Sequence, residues 1–161
     1  MSKYYKNIII IMITVFSIGS ASISFAAEPL LDRGKFSIGG GVSTNDLNGI
    51  SGSEVGFQFF GAYNLNQINL MDGVRSSVEA GYMDYGFNTE SGGIWGSYVV
   101  DGNISGQFRW LARLGYDFGD DNGLLIGGGL GFVLNQKMGL RFEYVVRDNL
   151  DSLQFNFIYN I

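Results

Sequence analysis

The sequence contains no cysteine, no histidine and only one proline among its 161 residues. Without cysteine, neither a disulfide nor a lipid-modified N-terminal cysteine can form, so the domain needs another source of stability. Without histidine and cysteine, the chain also lacks the usual tuned base, thiol nucleophile and transition-metal ligands. We therefore expect that the protein is not an enzyme and that it carries no cofactor.

Positive charge is also sparse, since 10 Lys and Arg stand against 15 Asp and Glu, a formal net charge of −5. Such a chain is a poor candidate for binding nucleic acid, because phosphate contacts require Lys and Arg. Long apolar runs are equally scarce. Residues 8–18 form one, and no later stretch has the length and apolarity of a membrane-spanning helix.

That apolar run belongs to a predicted signal peptide, residues 1–26. Lys3 and Lys6 precede the run, and residues 24–26 (Ser-Phe-Ala) offer small side chains at the positions that signal peptidase reads. A retained anchor helix is the alternative, which the short run disfavours. Cleavage after Ala26 removes both leader lysines and keeps all 15 acidic residues, so residues 27–161 form one domain with a formal charge of −7.

From residue 34 onward, apolar and polar residues alternate with a period of two, which predicts half-buried β-strands. Clusters of Gly, Asn and Asp, which favour turns, separate the alternating segments. These predicted turns include residues 45–49, 92–93, 119–123 and 135–137. The predicted strands are residues 34–43, 54–64, 73–84, 94–102, 106–118, 123–134, 138–147 and 151–161, of which the fourth is the least regular.

The last predicted strand shows the alternation most clearly. Its apolar face consists of Leu153, Phe155, Phe157, Tyr159 and Ile161. Its polar face consists of Ser152, Gln154, Asn156 and Asn160, with Ile158 as the exception. The second, third, fifth and seventh strands repeat the pattern, with Arg, Glu or Gln on the polar face.

The alternation alone fits two kinds of protein. A soluble sandwich or lipocalin-like domain would bury the aromatic face, whereas an outer-membrane barrel would turn it toward lipid. The export signal, the even strand number and the aromatic last strand favour the barrel. So do aromatic residues near strand ends, where interfacial girdles lie: Tyr63, Trp95, Trp110, Tyr116 and Tyr159.

We therefore predict an all-β fold, an eight-stranded antiparallel up-and-down transmembrane β-barrel, monomeric, in the bacterial outer membrane. Closure pairs every strand, which supplies the stability that disulfides do not. A barrel of this size is filled by side chains. Glycines on the predicted lumen face would leave room for long side chains from the strands opposite: Gly39, Gly41, Gly127, Gly129 and Gly131.

Four segments resemble the strand phrases of a known family: residues 78–82, 112–118, 140–144 and 153–161. They are similar to small outer-membrane barrels of the OmpA transmembrane-domain and OmpX type, in the outer membrane protein β-barrel superfamily. The resemblance implies contact with outer-membrane lipid and lipopolysaccharide, and insertion by the barrel assembly machinery, which reads the last strand. That family usually ends in Phe, whereas this sequence ends in Ile161.

The candidate site is a set of charged residues on the predicted lumen face. It consists of Arg75, Glu79, Arg109, Arg113, Arg141 and Glu143, with Asp117 and Arg147 nearer the outer rim. Charges in a narrow interior must pair, because an isolated buried ion costs many kcal/mol. We predict a central Glu79–Arg113–Glu143 network, extended by Arg141, that plugs the lumen. A gate for small ions is the sharper alternative.

Acidic residues gather at the outward end of the predicted barrel: Asp46, Glu54, Asp84, Glu90, Asp117, Asp120, Asp121, Asp148 and Asp151. Most are expected to be solvated turn residues. Divalent cations could instead bridge them to lipopolysaccharide phosphates, since Mg²⁺ and Ca²⁺ prefer oxygen ligands. Asp117, Asp120 and Asp121 are weak candidates for a metal site, and we expect no dedicated one.

These observations leave three functions open. The first is a structural or surface-interaction role in the cell envelope, with a lumen filled by side chains. The second is a narrow, porin-like channel for ions or small solutes. The third is a soluble periplasmic β-domain that binds an apolar ligand.

Overall fold

The computed structural model describes residues 35–49, 51–65, 72–89 and 91–161. The predicted signal peptide lies outside the described residues. All described residues belong to a compact unit, Asp32–Ile161. Within the described part of the chain, no helix is long and apolar enough to cross a membrane.

Eight antiparallel strands form one closed barrel, which confirms the predicted fold class. The strands are β1 (Phe36–Leu47), β2 (Ser53–Asn64), β3 (Val74–Asp84), β4 (Gly92–Ser105), β5 (Phe108–Asp117), β6 (Gly123–Val133), β7 (Met138–Val146) and β8 (Leu150–Asn160). Each strand pairs with its neighbours in sequence, and β1 pairs with β8 to close the barrel. Closure leaves no strand with an unpaired edge.

The barrel has two different ends. The start of β1, the end of β8 and the connections 65–73, 106–107 and 134–137 share one end, called here the terminal end. The other end, called the loop end, carries the connections 48–52, 85–91, 118–122 and 147–149. The tightest connection is the two-residue turn between β4 and β5, in which Gly106 adopts a φ of 55° that favours glycine.

Two predicted strands have wrong bounds for a physical reason. β1 runs to Leu47 rather than to residue 43, because Asn45 and Leu47 point into the barrel and are buried there instead of forming a turn. The Asn45 side-chain amide donates to the Tyr85 carbonyl oxygen at 2.8 Å. β4 begins at Gly92 and runs past the predicted residue 102, with a register shift between Asn103 and Ser105 that breaks the alternation.

The two faces of the barrel are as the alternation predicts. Apolar residues on the outer face are largely exposed on every strand, among them Val42, Phe59, Val78, Ile94, Leu114, Ile126, Phe142 and Phe155. The inner face buries Gln58, Glu79, Arg113, Glu143, Gln154 and Asn156. This arrangement does not fit the alternative of a soluble domain whose aromatic face lines a cavity.

One aromatic residue lies on the opposite face from the prediction. Trp95 was expected in an outer girdle, but only 1% of its surface is exposed and it lies inside the barrel. Trp110 is 36% exposed on the outside. The prediction for Trp95 is wrong because Trp95 shares the inward parity of Ser97 and Val99 on β4. Its ring packs inside the barrel against Phe60 and the Arg113 guanidinium.

Glycines on the inner face make room for side chains, but for those of neighbouring strands rather than of strands opposite. A Cβ on Gly39 would meet the ring of Phe60, its partner in β2. A Cβ on Gly127 would crowd Arg113, its partner in β5. Large inner side chains therefore lean over a glycine in the adjacent strand.

Candidate functional site in the barrel lumen

Four charged side chains form a closed ring across the lumen, called here the ionic ring: Glu79 on β3, Arg113 on β5, and Arg141 and Glu143 on β7. Arg113 Nη2 lies 3.0 Å from Glu79 Oε2 and 2.7 Å from Glu143 Oε2. Arg141 lies 2.6 Å from Glu79 Oε1 and 2.7 Å from Glu143 Oε1. Each arginine thus bridges both glutamates, and the four charges sum to zero.

The ionic ring spans the full width of the barrel. β3 and β7 are four strands apart in a barrel of eight, so the Glu79–Arg141 pair joins opposite walls. Both glutamates and Arg113 are almost completely buried. Buried ions require partners and further hydrogen bonds, and the bidentate Arg141–Glu79 contact supplies the strongest geometry of that kind.

Aromatic rings support the two arginines. The guanidinium of Arg113 lies 5.2 Å from the Trp95 ring centroid, and that of Arg141 lies 5.3 Å from the Phe60 ring centroid. The two rings contact each other at 5.6 Å. These cation–π contacts fill the lumen around the ionic ring. Neither Phe60 nor Trp95 was expected in the lumen from the sequence, although Phe60 shares the inward parity of Gln58 on β2.

Amides extend the plug toward β2 and β8. Gln58 Nε2 donates to Gln154 Oε1 at 2.7 Å and to Asn156 Oδ1 at 2.9 Å. Asn156 Nδ2 in turn donates to Glu143 Oε1 at 3.3 Å. Side chains from β2 and β8 are thereby tied to the ionic ring, which closes the lumen at this level.

Above the ionic ring, the loop end is sealed as well. Arg147 Nε donates to Asp117 Oδ2 at 2.9 Å and Arg147 Nη1 to Ser152 Oγ at 2.9 Å. The Arg147 guanidinium lies 5.7 Å from the ring centroid of Tyr85. Buried apolar side chains from several strands and connections surround this pair: Leu47, Met83, Phe87, Leu125, Val145 and Leu150.

The remaining two predicted site residues lie apart from the ionic ring, near the terminal end. Arg75 Nη2 lies 2.9 Å from Asp101 Oδ1, and Arg109 contacts the same oxygen. Asp101 was not predicted as a site residue, because it lies on β4, the least regular predicted strand. Alternation within β4 could have found it, since Asp101 shares the inward parity of Trp95 and Val99.

This triad borders a cavity of about 610 Å³ that occupies the terminal half of the lumen. Arg141 and Glu79 of the ionic ring line its inner limit, and residues of the β6–β7 turn line its rim. The expected side-chain filling therefore holds for the loop half of the lumen and differs in the terminal half, which is open.

The three weak metal candidates do not share a site. Asp117 pairs with Arg147, and Asp121 accepts hydrogen bonds from the Asn149 backbone N–H and side-chain amide. Asp120 accepts from Ser91, and these hydrogen bonds hold the pKa of the Asp120 carboxyl below its usual value. Among the described residues, no three Asp, Glu, His or Cys side chains cluster as metal ligands would.

The predicted assembly strand is β8 with the residue that follows it. Leu153, Phe155, Phe157 and Ile161 are exposed on the outer face, and Tyr159 lies under the Lys137 ammonium at 5.7 Å. The Ile161 N–H donates to the Phe36 carbonyl oxygen at 3.0 Å, which continues the β1–β8 pairing to the last residue of the sequence.

The fold and the lumen define a class, the small eight-stranded transmembrane β-barrels. The chain is similar to a de novo designed transmembrane β-barrel, with a TM-score of 0.57 and 15% identity over 81% of this chain and 98% of that chain. It is also similar to the outer membrane enzyme PagL, with a TM-score of 0.55 and 14% identity over 78% and 99% of the two chains.

Neisserial surface protein A is a third structure of similar fold, with a TM-score of 0.51 and 14% identity over 79% of this chain and 97% of that chain. At such identities the likeness shows the fold alone. Neither a protein-family model nor a curated sequence matches the chain.

Proposed function

We propose that the protein is an integral barrel of the bacterial outer membrane, exported by its leader, with a closed lumen and a structural or surface-interaction role in the envelope. The exposed apolar outer face supports this most directly. Soluble monomers rarely expose contiguous apolar patches of more than a few hundred Å². Here every strand contributes such residues, so the belt surrounds the barrel. Lipid is the environment in which this surface is stable.

The closed lumen supports a structural role over conduction. The ionic ring, its amides and the loop-end seal bury nearly every inner side chain from mid-height outward. An ion would have to break at least one buried salt bridge to pass. The loop-end connections are also short, none longer than residues 85–91, which favours a compact surface over a large adhesive one.

Two partners follow from this proposal. The first is the barrel assembly machinery, which would recognise the last strand, β8. Lipopolysaccharide would be bound through divalent cations held by exposed loop-end acids. Asp46 and Asp151 support this, because they are direct partners across the β1–β8 seam and like charges placed directly opposite each other are destabilising. Their carboxylates accept hydrogen bonds from the Ser53 and Tyr144 hydroxyls, and a divalent cation would stabilise the pair further.

Electrophoresis of the membrane fraction tests membrane insertion. A folded outer-membrane barrel resists SDS at low temperature, so unboiled and boiled samples should migrate differently. The protein should also sediment with membranes after carbonate washing. Recovery in the periplasmic extract, with one mobility before and after boiling, would refute the proposal.

A further inference from the structure

The cavity in the terminal half of the lumen is a blind pocket. Its volume of about 610 Å³ falls within the usual range of sites for small organic ligands, about 300–1,000 Å³. The ionic ring closes its inner end. Val99, Leu111 and Ile158 supply apolar wall, and Ser77, Asn64 and Asn160 supply polar wall.

The accessible charge in this pocket is mostly positive. The side chains of Arg75, Arg109 and Arg141 are 59%, 19% and 14% exposed. Glu79 also lines the pocket, but it is only 2% exposed and both of its carboxylate oxygens contact Arg141. Asp101 is the other acid in the lining, and it is 21% exposed.

Asp101 cannot neutralise both of its arginines. Arg75 and Arg109 both direct their donors to one atom, Asp101 Oδ1. One carboxylate compensates one guanidinium, so the triad carries one excess positive charge, while the ionic ring behind it is neutral. Low-dielectric barrel walls strengthen the attraction of this charge for an anion inside the pocket.

We propose that this pocket binds a small soluble anion that carries a carboxylate or phosphate group and a short apolar body. Planar guanidinium groups recognise both oxyanions through paired N–H donors. The oxyanion would lie between Arg75 and Arg109, and the apolar body would lie against Val99 and Leu111. That the pocket faces the periplasm rests on the proposed function, whereas binding itself does not.

Calorimetric titration of the folded barrel in zwitterionic micelles tests the proposal, with phenyl phosphate as the probe and benzyl alcohol as its uncharged counterpart. Phenyl phosphate should bind saturably at one site, and benzyl alcohol should not. Arg109→Gln should weaken phenyl phosphate by about tenfold or more, as expected for the loss of a charged hydrogen bond. Lys137→Gln is the control, because it removes a positive charge from the terminal end of the barrel but outside the pocket lining. It should change the affinity for phenyl phosphate by less than about twofold.

Asp101→Asn should change the affinity for phenyl phosphate in the opposite direction. Removal of the internal carboxylate frees both guanidiniums, so affinity should rise several-fold, whereas Asp72→Asn in the β2–β3 connection should have little effect. Unchanged heat-modifiable migration shows that each variant is folded. Failure of wild-type binding, or equal losses in the Arg109 and Lys137 variants, would overturn the proposal while leaving membrane insertion untouched.

A final titration separates a soluble ligand from a lipid headgroup. Phosphatidylglycerol added to the micelles should not compete with phenyl phosphate, because the pocket opens inside the barrel rather than toward the surrounding lipid. Competition by phosphatidylglycerol would contradict the assignment to a soluble ligand.

Discussion

Glu79 on β3 and Arg141 on β7 contact each other across the barrel from opposite walls, with Arg141 Nη1 2.6 Å from Glu79 Oε1. The contact joins positions 62 residues apart and shares its charges with Arg113 and Glu143. A barrel without disulfides is thus cross-braced through its centre as well as closed around its circumference.

The cross-brace predicts that Glu79→Gln destabilises the barrel strongly. The variant leaves Arg113 and Arg141 with one shared carboxylate, and removal of one partner from a buried ion pair typically costs about 3–5 kcal/mol. Urea unfolding in lipid vesicles measures the change. Glu54→Gln, which alters an exposed acid, is the matched control and should change stability by less than about 0.5 kcal/mol.

The double variant Glu79→Gln with Arg141→Gln gives the sharper result. It leaves the Arg113–Glu143 pair intact and neutral. The double variant should therefore lose less free energy of unfolding than the sum of the two single variants, with a coupling of about 1 kcal/mol or more. Strictly additive losses would show that the four charges do not act as one ring.

Conductance in planar bilayers tests whether the ionic ring is the barrier to ions. Wild-type protein should be silent, and Glu79→Ala and Arg113→Ala should open brief, small conductances because each removes a buried pair that blocks the lumen. Arg75→Ala is the control, since it alters the open terminal half and leaves the plug in place. Silent variants would end the idea of a gate and leave the plug as a structural filling alone.

The β1–β8 seam predicts a strong effect of one small substitution. A Cβ on Gly41 would collide with the Phe155 carbonyl oxygen and crowd Asn156. Gly41→Ala should therefore disturb barrel closure, by about 1–3 kcal/mol or more, and reduce the fraction that resists cold SDS. Gly61→Ala is the control, because a Cβ there meets nothing within 4 Å. Equal SDS resistance in both variants would contradict the seam geometry.

Calcium should stabilise the barrel most where lipopolysaccharide is present, because lipid phosphates would add oxygen ligands to a cation held by the loop-end carboxylates. Asp46 and Asp151 lie opposite each other at the loop end, and a cation that bridges their carboxylates would offset the cost of two like charges in these positions. Added Ca²⁺ should raise the melting temperature in lipopolysaccharide-containing bilayers, and the Asp46→Asn/Asp151→Asn variant should lose most of the increase. No change of wild-type melting temperature with Ca²⁺ would rule out this mode of lipopolysaccharide binding.

The sequence predicted the fold well because successive residues of a barrel strand face lipid and lumen in turn, so apolar and polar residues alternate along it. β8 and β7 showed this pattern over most of their length, with Ile158 and Val145 as apolar exceptions on the inner face, and their predicted and observed bounds differ by one residue at most. The predicted bounds of β1 and β4 were less accurate. The Asn45–Leu47 segment has the composition of a turn but packs inward, and the irregular register near Ser105 disrupts the alternation of β4.

Sequence reasoning named the members of the candidate site and grouped Arg113 and Arg141 with the two glutamates. It did not separate Arg75 and Arg109 into a triad with Asp101. Parity assigned Glu79, Arg113, Arg141 and Glu143 to the lumen. Which arginine meets which acid depends on strand tilt and on the circumference of the barrel, and a single strand's pattern contains neither. For that reason the Arg75–Asp101–Arg109 triad, the aromatic support of the ionic ring and the open terminal half emerge only from the structure.

The two tryptophans provide the most direct test that the apolar face meets lipid while the ionic face is turned inward. Trp110 is exposed on the outside and Trp95 is buried in the lumen beside Arg113. Single-tryptophan variants, Trp95→Phe and Trp110→Phe, can be reconstituted in vesicles with acyl-chain-brominated lipids. The fluorescence of Trp110 should be strongly quenched and that of Trp95 should not. Quenching of Trp95 with Trp110 unaffected, or of neither, would contradict this orientation of the two faces.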